Sequence, residues 1–116
     1  MNTEHMSLAE VESLATDALI GTGTRLESAQ SMGRAARAAE RDGIRSHGLL
    51  YVPTYCEHVK CGKVDGTAVP EIIQPRLSAI KVDAKTGFAH PAIEAGFIEL
   101  IPLVKSNGWV GLTISN

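Results

Sequence analysis

SAIKVDAKTGFAHPAIEAGFIELIPLVKSNGWVGLTIS, residues 78–115, is the stretch that decides the fold class. Its two ends, Ser78–Ala84 and Trp109–Ser115, contain alternating apolar and polar residues and are rich in β-branched side chains, which is typical of strands. The segment between them has the spacing of a helix. A strand, a helix and a second strand in this order predict a βαβ unit with parallel strands and a right-handed crossover.

The helix of this unit is predicted to start at His90-Pro91, with proline at its first position, where a backbone N–H has no intrahelical partner to lose. Pro102 lies in the interior of the helix and is expected to kink or split it. The larger apolar side chains recur on one face, which we expect to be buried: Ile93, Phe97, Leu100, Ile101 and Val104.

The first half of the chain has the spacing of three helices. Ser7-Leu8-Ala9-Glu10 predicts a capping box at the start of the first, and Thr24-Arg25-Leu26-Glu27 repeats the pattern at the start of the second. A third helix is predicted from Leu49 to about Cys61, with Pro53 in its first turn and Gly62 just after its end. The second helix has a face of mostly small residues that lets another helix approach closely: Leu26, Ala29, Met32, Gly33, Ala36 and Ala39.

The composition changes along the chain and predicts three regions. Residues 1–64 form a helical N-terminal region, residues 65–77 form a linker rich in glycine and proline, and residues 78–116 form the βαβ start of an incomplete domain. A sheet of only two parallel strands would leave the backbone groups of both of its edges unpaired. We therefore expect an α/β protein, longer than this chain, in which the two strands begin a larger mixed sheet.

Composition and charge argue against several classes of protein. With 116 residues and 44% apolar content the chain is long enough for one core, and a net charge of −2 with mixed signs gives no basic surface for nucleic acid or an anionic membrane. No apolar run is long enough to span a bilayer, and the first residues lack the pattern of a secretion signal. Cys56 and Cys61 are best explained as reduced thiols, so we expect a cytoplasmic location.

His47, in RSHGLLYVPTY (residues 45–55), is the strongest candidate for a catalytic residue. An imidazole can give or take a proton at neutral pH, and the following Gly48 leaves one side of the ring open to a ligand. The preceding Ser46 can cap a helix, and local sequence alone favours a catalytic histidine no more than a capping one. His90 is interpreted either as a ligand contact at a helix N-terminus or, with more weight, as a cap.

Zinc is the metal that the residue types around His47 suggest, because imidazole and thiolate are its usual ligands. The candidates are His47, Cys56, His58 and Cys61. Their spacing argues against a site, because no Cys-x-x-Cys pair occurs and the two cysteines point to different faces of a helix. We predict no bound metal, and the absence of Gly-x-Gly-x-x-Gly predicts that there is no Rossmann dinucleotide site.

Tyr51 and Tyr55 lie four residues apart and share one face of a helix. Tyr51 also lies four residues after His47. The pair is interpreted either as one side of a pocket above His47 or as two amphipathic aromatic residues at the boundary of the core.

Several short motifs follow one another over nearly the whole chain: Ala39–Gly48, Pro53, Tyr55, Gly62, Val82–Ala84, Gly87 and Ile114–Asn116. Their order is similar to the N-terminal part of the malate/L-lactate dehydrogenase family. This resemblance implies an NAD(P)-dependent oxidoreductase of 2-hydroxy and 2-keto acids, a sulfolactate dehydrogenase-like fold distinct from the Rossmann domain, and an active site between the subunits of a homodimer. It also implies that His47 binds the substrate and serves as its acid and base, and that Ser46 beside it is a substrate-binding residue.

Two features depart from the family pattern. Where the family has an arginine that pairs with the substrate carboxylate, this chain has Tyr51, which supplies only one neutral hydrogen bond. Arg45 is the candidate replacement, and a less acidic substrate is the alternative. Asn116 matches the residue that opens the family's next active-site segment, so cofactor binding is expected beside it, with most NAD or NADP contacts coming from later residues.

Two hypotheses of different classes follow. The first is the N-terminal part of an NAD(P)-dependent oxidoreductase of 2-hydroxy and 2-keto acids, inactive as an isolated fragment. The second is a non-catalytic helical module that dimerises through its small-residue helix faces. In the first, the expected partner is a small 2-keto or 2-hydroxy acid, and neither hypothesis involves nucleic acid or a membrane.

Overall fold

A computed structural model describes residues 3–116 of the protein. Within these residues the helices and strands are α1 (Leu8–Gly21), α2 (Leu26–Arg41), α3 (Val52–Lys60), β1 (Glu71–Arg76), β2 (Ala79–Asp83), α4 (Ala89–Asn107) and β3 (Gly111–Ser115). Two 3₁₀ turns, Arg45–His47 and Leu49–Tyr51, precede α3. The strands form one sheet in the order β1-β2-β3, in which β1 is antiparallel and β3 parallel to β2. The predicted α/β class and the βαβ unit, β2-α4-β3, are confirmed.

The starts of α1 and α2 differ in how they are capped. Helix α1 has the predicted capping box, in which the Ser7 N–H donates to the Glu10 carboxylate at 2.6 Å and the Glu10 N–H donates to the Ser7 hydroxyl at 3.1 Å. The capping box predicted at Thr24 is wrong, because Arg25 occupies the cap position of α2 and makes no side-chain cap. A backbone hydrogen bond fixes the start of α2 instead, since the Arg25 N–H donates to the Gly66 carbonyl at 2.9 Å.

The small-residue face of α2 packs against α1. Gly33 marks the closest approach, where a Cβ atom would lie 2.8 Å from the Glu12 carbonyl oxygen and would overlap the Thr16 hydroxyl. Most of the predicted face is buried, although Leu26 is exposed. The surface that the alternative hypothesis assigned to dimerisation is therefore used within the chain.

Helix α3 begins later than predicted. Gly48 has non-helical backbone dihedrals, φ −90° and ψ −141°, which separate the two 3₁₀ turns, and α-helical geometry starts at Val52. Pro53 lies in the first turn of α3, as predicted. Gly62 has a φ of 76° just past the end of the helix, in the left-handed region that favours glycine.

The segment predicted as a linker without regular structure contains β1, so that prediction is wrong for residues 71–76. β1 pairs with β2 and covers one of the two edges that the βαβ unit was expected to leave open. Pro75 concealed this strand because it cannot donate to a ladder, and the register of the pairing shifts between Ile73 and Arg76, on either side of it. The division of the chain into three domains stays a prediction.

Of the residues predicted to be buried on α4, Leu100 packs against the sheet, but the buried face is otherwise a different one. The residues in contact with the sheet begin with two small ones and follow helical spacing: Ala92, Gly96, Leu100 and Leu103. Three of the predicted residues are exposed: Ile93, Phe97 and Ile101. Helix and sheet approach so closely that a Cβ atom on Gly96 would lie 2.9 Å from the Leu112 side chain. This close approach selects the stripe of small residues and leaves the bulkier one outside.

Helix α4 begins at Ala89, so Pro91 is its third residue rather than its first. The helix continues through Pro102 to Asn107, and the predicted split does not occur. None of the helices within residues 3–116, α4 included, is long and apolar enough to cross a membrane.

Candidate functional site

A cavity of about 380 Å³ lies where α2, the chain that follows it, α3 and the start of α4 meet. Its wall consists of Ala35, Ala38, Ala39, Asp42, Ile44, His47, Tyr55 and His90. The alanines and Ile44 make one side apolar, and the other four residues can form hydrogen bonds. The cavity joins His47, the strongest candidate from the sequence, to His90 and Tyr55, whose roles the sequence left open.

His47 ends the first 3₁₀ turn and is exposed at the cavity. The Ser46 hydroxyl oxygen lies 2.9 Å from His47 Nδ1. When Nδ1–H donates to this hydroxyl, Nε2 of the neutral imidazole carries no proton and can accept one, and in the doubly protonated ring Nε2–H is a donor. With Nδ1 engaged by Ser46, Nε2 is the nitrogen that can exchange a proton with a ligand in the cavity.

Glu40, in the last turn of α2, contacts the chain at Gly48 and Leu49. Its carboxylate accepts a hydrogen bond from the Leu49 N–H at 2.9 Å, and a Cβ atom on Gly48 would lie 2.6 Å from Glu40 Cδ. This contact fixes the backbone directly after His47. The sequence did not indicate it, because a carboxylate that binds a backbone group nine residues later leaves no periodic signal.

His90 is half-buried in the first turn of α4. Burial lowers the pKa of His90, the Glu94 carboxylate one turn later opposes this effect, and the neighbouring His47 adds to it. Glu94 is itself bound by the Arg34 guanidinium of α2 at 3.1 and 2.5 Å, which joins the start of α4 to α2. His90 is therefore a neutral imidazole at neutral pH, beside the exposed His47.

The two tyrosines occupy different positions. Tyr55 lines the cavity, and its ring packs edge-on against Tyr51 and Phe88, with centroid distances of 4.8 and 5.7 Å. Burial raises the pKa of Tyr55, and Tyr51 adds to this effect, so the Tyr55 hydroxyl keeps its proton at neutral pH. Tyr51 supports this ring without being part of the wall, and substrate binding by Tyr51 stays a prediction.

Arg45 and Asn116 also lie outside the cavity wall. Arg45 is exposed at the start of the first 3₁₀ turn. Asn116 follows β3, where its side-chain amide donates to Asp83 Oδ1 at 3.1 Å and its carbonyl accepts from the Thr86 N–H at 2.8 Å. The structure does not bring either residue to the cavity with His47, and their substrate-binding and cofactor-binding roles stay predictions.

Asp42 adds a carboxylate to the cavity that sequence reasoning did not identify. The Arg41 guanidinium binds it through two hydrogen bonds of 2.8 and 3.3 Å and lowers the pKa of Asp42. Asp42 therefore carries a negative charge at neutral pH.

The residues considered for zinc are separated. Cys56 is buried and its thiol donates to the Ala18 carbonyl at 3.7 Å, whereas Cys61 is exposed. In the part of the chain that the structure describes, no group of three or more His, Cys, Asp or Glu side chains is placed to hold a metal ion.

Comparison with known proteins gives matches along almost the whole chain. The sequence profile of the malate/L-lactate dehydrogenase family matches residues 6–116. The (2R)-3-sulfolactate dehydrogenase (NADP⁺) of Chromohalobacter salexigens is 40% identical over 109 residues, which are 94% of this chain and 32% of the relative. The chain thus spans about a third of the length of the curated relatives it matches.

Solved structures agree with this assignment. The Δ1-piperideine-2-carboxylate reductase of Pseudomonas syringae pv. tomato matches with a TM-score of 0.92 and 34% identity, over 97% of this chain and 34% of that one. The sulfolactate dehydrogenase of Methanocaldococcus jannaschii matches in fold, with a TM-score of 0.79 and 20% identity, over 86% of this chain and 29% of that one. The predicted resemblance and the sulfolactate dehydrogenase-like fold are confirmed: the chain belongs to the malate/L-lactate dehydrogenase family.

Proposed function

We propose that the whole protein is an NAD(P)-dependent oxidoreductase that interconverts 2-hydroxy acids and 2-keto acids, or reduces the corresponding cyclic 2-imino acids. In this proposal the present chain supplies the substrate side of the active site. The observation that carries it is the position of His47 on the wall of a cavity, with Nδ1 engaged by Ser46 and with His90 and Tyr55 on the same wall. A homodimer is part of the proposal, and the cytoplasmic location stays a prediction.

His47 is the proton donor and acceptor in this proposal. In the reducing direction the doubly protonated ring gives its Nε2 proton to the carbonyl oxygen, or to the imine nitrogen, attached to C2 of the substrate, where negative charge develops, and the ring becomes neutral. In the oxidising direction the neutral ring, with its remaining proton on Nδ1 towards the Ser46 hydroxyl, accepts the hydroxyl proton at Nε2. The nicotinamide, when bound, supplies or takes up the hydride. The alanine wall of α2 excludes water from the carbon chain of the substrate and orients it.

The wall of the cavity fits the substrate rather than the dinucleotide. A pyrophosphate is usually held by the backbone N–H groups of a glycine-rich turn or by basic side chains, whereas the charged group of this wall is the Asp42 carboxylate. We therefore assign no residue of the wall to the cofactor. The proposal places most of the cofactor contacts, apart from the one predicted beside Asn116, in the two thirds of the relatives' length that this chain does not span.

The proposed function is tested by assaying the product of the complete reading frame for oxidation of NADH and NADPH. The acceptors to be supplied are pyruvate, oxaloacetate, 3-sulfopyruvate and Δ1-pyrroline-2-carboxylate. We expect oxidation of one cofactor in a one-to-one ratio with reduction of at least one acceptor. A folded protein that oxidises neither cofactor with any of the four would contradict the proposal.

Replacing Glu40 with alanine is expected to lower kcat/KM of the complete protein roughly tenfold to a hundredfold, because the turn that carries His47 loses its anchor and the imidazole is misplaced. Glu40→Gln keeps an oxygen acceptor for the Leu49 N–H and should retain most of the activity. Steady-state kinetics of both variants, with circular dichroism to verify folding, measure the effect. Wild-type kinetics in Glu40→Ala would show that the turn holds without this contact.

A further inference from the structure

The wall of the cavity contains few groups that can bind the carboxylate common to 2-keto, 2-hydroxy and 2-imino acids. No arginine or lysine is part of this wall, and Asp42 can only accept hydrogen bonds from its ligands while it is ionised. His47 is already assigned to the reacting group at C2. The donors that remain on the wall are the Tyr55 hydroxyl and the His90 imidazole.

His90 differs from Tyr55 in how its ring is held. The His90 imidazole is half-buried. Its pKa is lowered by burial and by His47 and raised by Glu94, and no hydrogen bond from another of residues 3–116 contributes to the shift. A polar ring removed from water usually has a hydrogen-bond partner. The Tyr55 ring, by contrast, is held between Tyr51 and Phe88, which gives it a packing role of its own.

We propose that His90 is a substrate-binding residue whose ring N–H donates a hydrogen bond to the carboxylate of the substrate, in the cavity it shares with His47. This assignment rests on the proposed function. It deepens that function by placing the two ends of the substrate on two different imidazoles: C2 and its oxygen or nitrogen at His47, and the carboxylate at His90. Binding of the acid then depends on a neutral donor where the family resemblance leads one to expect an arginine.

The groups around His90 are compatible with this role. Glu94 follows it by one turn on α4, but the Arg34 guanidinium of α2 binds both carboxylate oxygens of Glu94. Asp42 reaches the cavity from the end of α2 and is paired with Arg41. The Tyr55 hydroxyl faces the same space from α3. Both carboxylates that could attract a proton to His90 are thus engaged by arginines.

The test compares His90→Phe, which keeps a ring of similar size but removes the donor, with His90→Gln, which keeps a neutral N–H donor. KM and kcat for pyruvate and Δ1-pyrroline-2-carboxylate are measured on the complete protein, and pyruvate binding is measured by calorimetry in the presence of NAD⁺ or NADP⁺. We expect His90→Phe to raise KM and the pyruvate Kd roughly tenfold to a hundredfold, the range for a lost hydrogen bond to a charged group. His90→Gln should recover most of this loss, and kcat should change less than KM in both variants.

Each contrary result has a distinct meaning. If wild type turns over either acid and His90→Phe has an unchanged KM, or if His90→Gln is as impaired as His90→Phe, the assignment of His90 is overturned while the proposed function stands. The same conclusion follows if Tyr55→Phe, rather than His90→Phe, raises KM. If wild type reduces none of the four acceptors named for the proposed function, that function fails and the assignment fails with it.

Discussion

Replacing His47 with alanine is expected to lower kcat/KM of the complete gene product by roughly 10²- to 10⁴-fold, the range that a positioned general acid or base contributes. The loss arises because the substrate oxygen or nitrogen at C2 must then take its proton from water. His47 is exposed and outside the two buried apolar clusters, so the fold should be unaffected. Steady-state kinetics in both reaction directions measure the effect.

His58→Ala is the matched control for this substitution. It removes an imidazole of the same size from α3, outside the cavity wall, and should leave kcat/KM near the wild-type value. Ser46→Ala should give a smaller loss than His47→Ala, since it removes only the partner of Nδ1. Equal losses in His47→Ala and His58→Ala would indicate a general effect on the protein and would remove His47 from the mechanism.

Gly33→Ala is expected to destabilise the protein by about 1–3 kcal/mol, although alanine is normally the better helix former. The added methyl group would lie 2.8 Å from the Glu12 carbonyl oxygen and would overlap the Thr16 hydroxyl, so α1 and α2 would have to separate. The backbone of α1 cannot move aside as a flexible side chain can. The destabilisation from overpacking therefore exceeds the stabilisation from the higher helix propensity of alanine. Urea denaturation gives the change in the free energy of unfolding.

Gly21→Ala provides a matched control within α1. A Cβ atom at Gly21 would meet no other atom within 4 Å, so the same substitution should be neutral or stabilising by up to about 1 kcal/mol. The two variants are therefore expected to shift the midpoint of unfolding in different directions or by clearly different amounts. A Gly33→Ala variant as stable as Gly21→Ala would mean that the two helices are farther apart than the structure shows.

The elements that the sequence predicted well are those whose signal is local. The capping box at Ser7, the strand alternation in residues 79–83 and 111–115, and Gly62 after α3 each depend on residues that are close in sequence. Strand β1 was missed because Pro75 argued against regular structure. Pairing with β2 nevertheless tolerates the proline at a shift of register, which is a property of the sheet rather than of the segment.

The buried face of α4 shows why apolar periodicity alone was insufficient. The helix has two stripes with helical spacing, and the bulkier one, with Ile93 and Phe97, gave the stronger apolar signal. The structure buries the stripe with Ala92 and Gly96 because the sheet lies too close for larger side chains. Which stripe is buried depends on the distance between helix and sheet, and this distance is not encoded within the helix itself.

The candidate site was predicted in part for the same reason. His47 and Ser46 are adjacent, so their contact followed from the sequence, whereas His90 reaches the same cavity from a helix that begins more than forty residues later. The role of Glu40 carried no local signal, because it acts through a contact with the backbone nine residues later, and Asp42 reaches the cavity only once the chain after α2 has folded back over that helix. Arg45 lies two residues before His47 in the sequence, but it is not part of the cavity wall.

The central claim is that the cavity shared by His47 and His90 is the substrate site. The chain has four histidines, His5, His47, His58 and His90, whose imidazole Cε1–H resonances can be assigned with single glutamine variants. Pyruvate or Δ1-pyrroline-2-carboxylate is titrated into the complete protein with NAD⁺ or NADP⁺ present. We predict that the resonances of His47 and His90 shift together along one saturation curve while those of His5 and His58 do not move. Unchanged His47 and His90 resonances at concentrations of acid that saturate turnover would contradict the account.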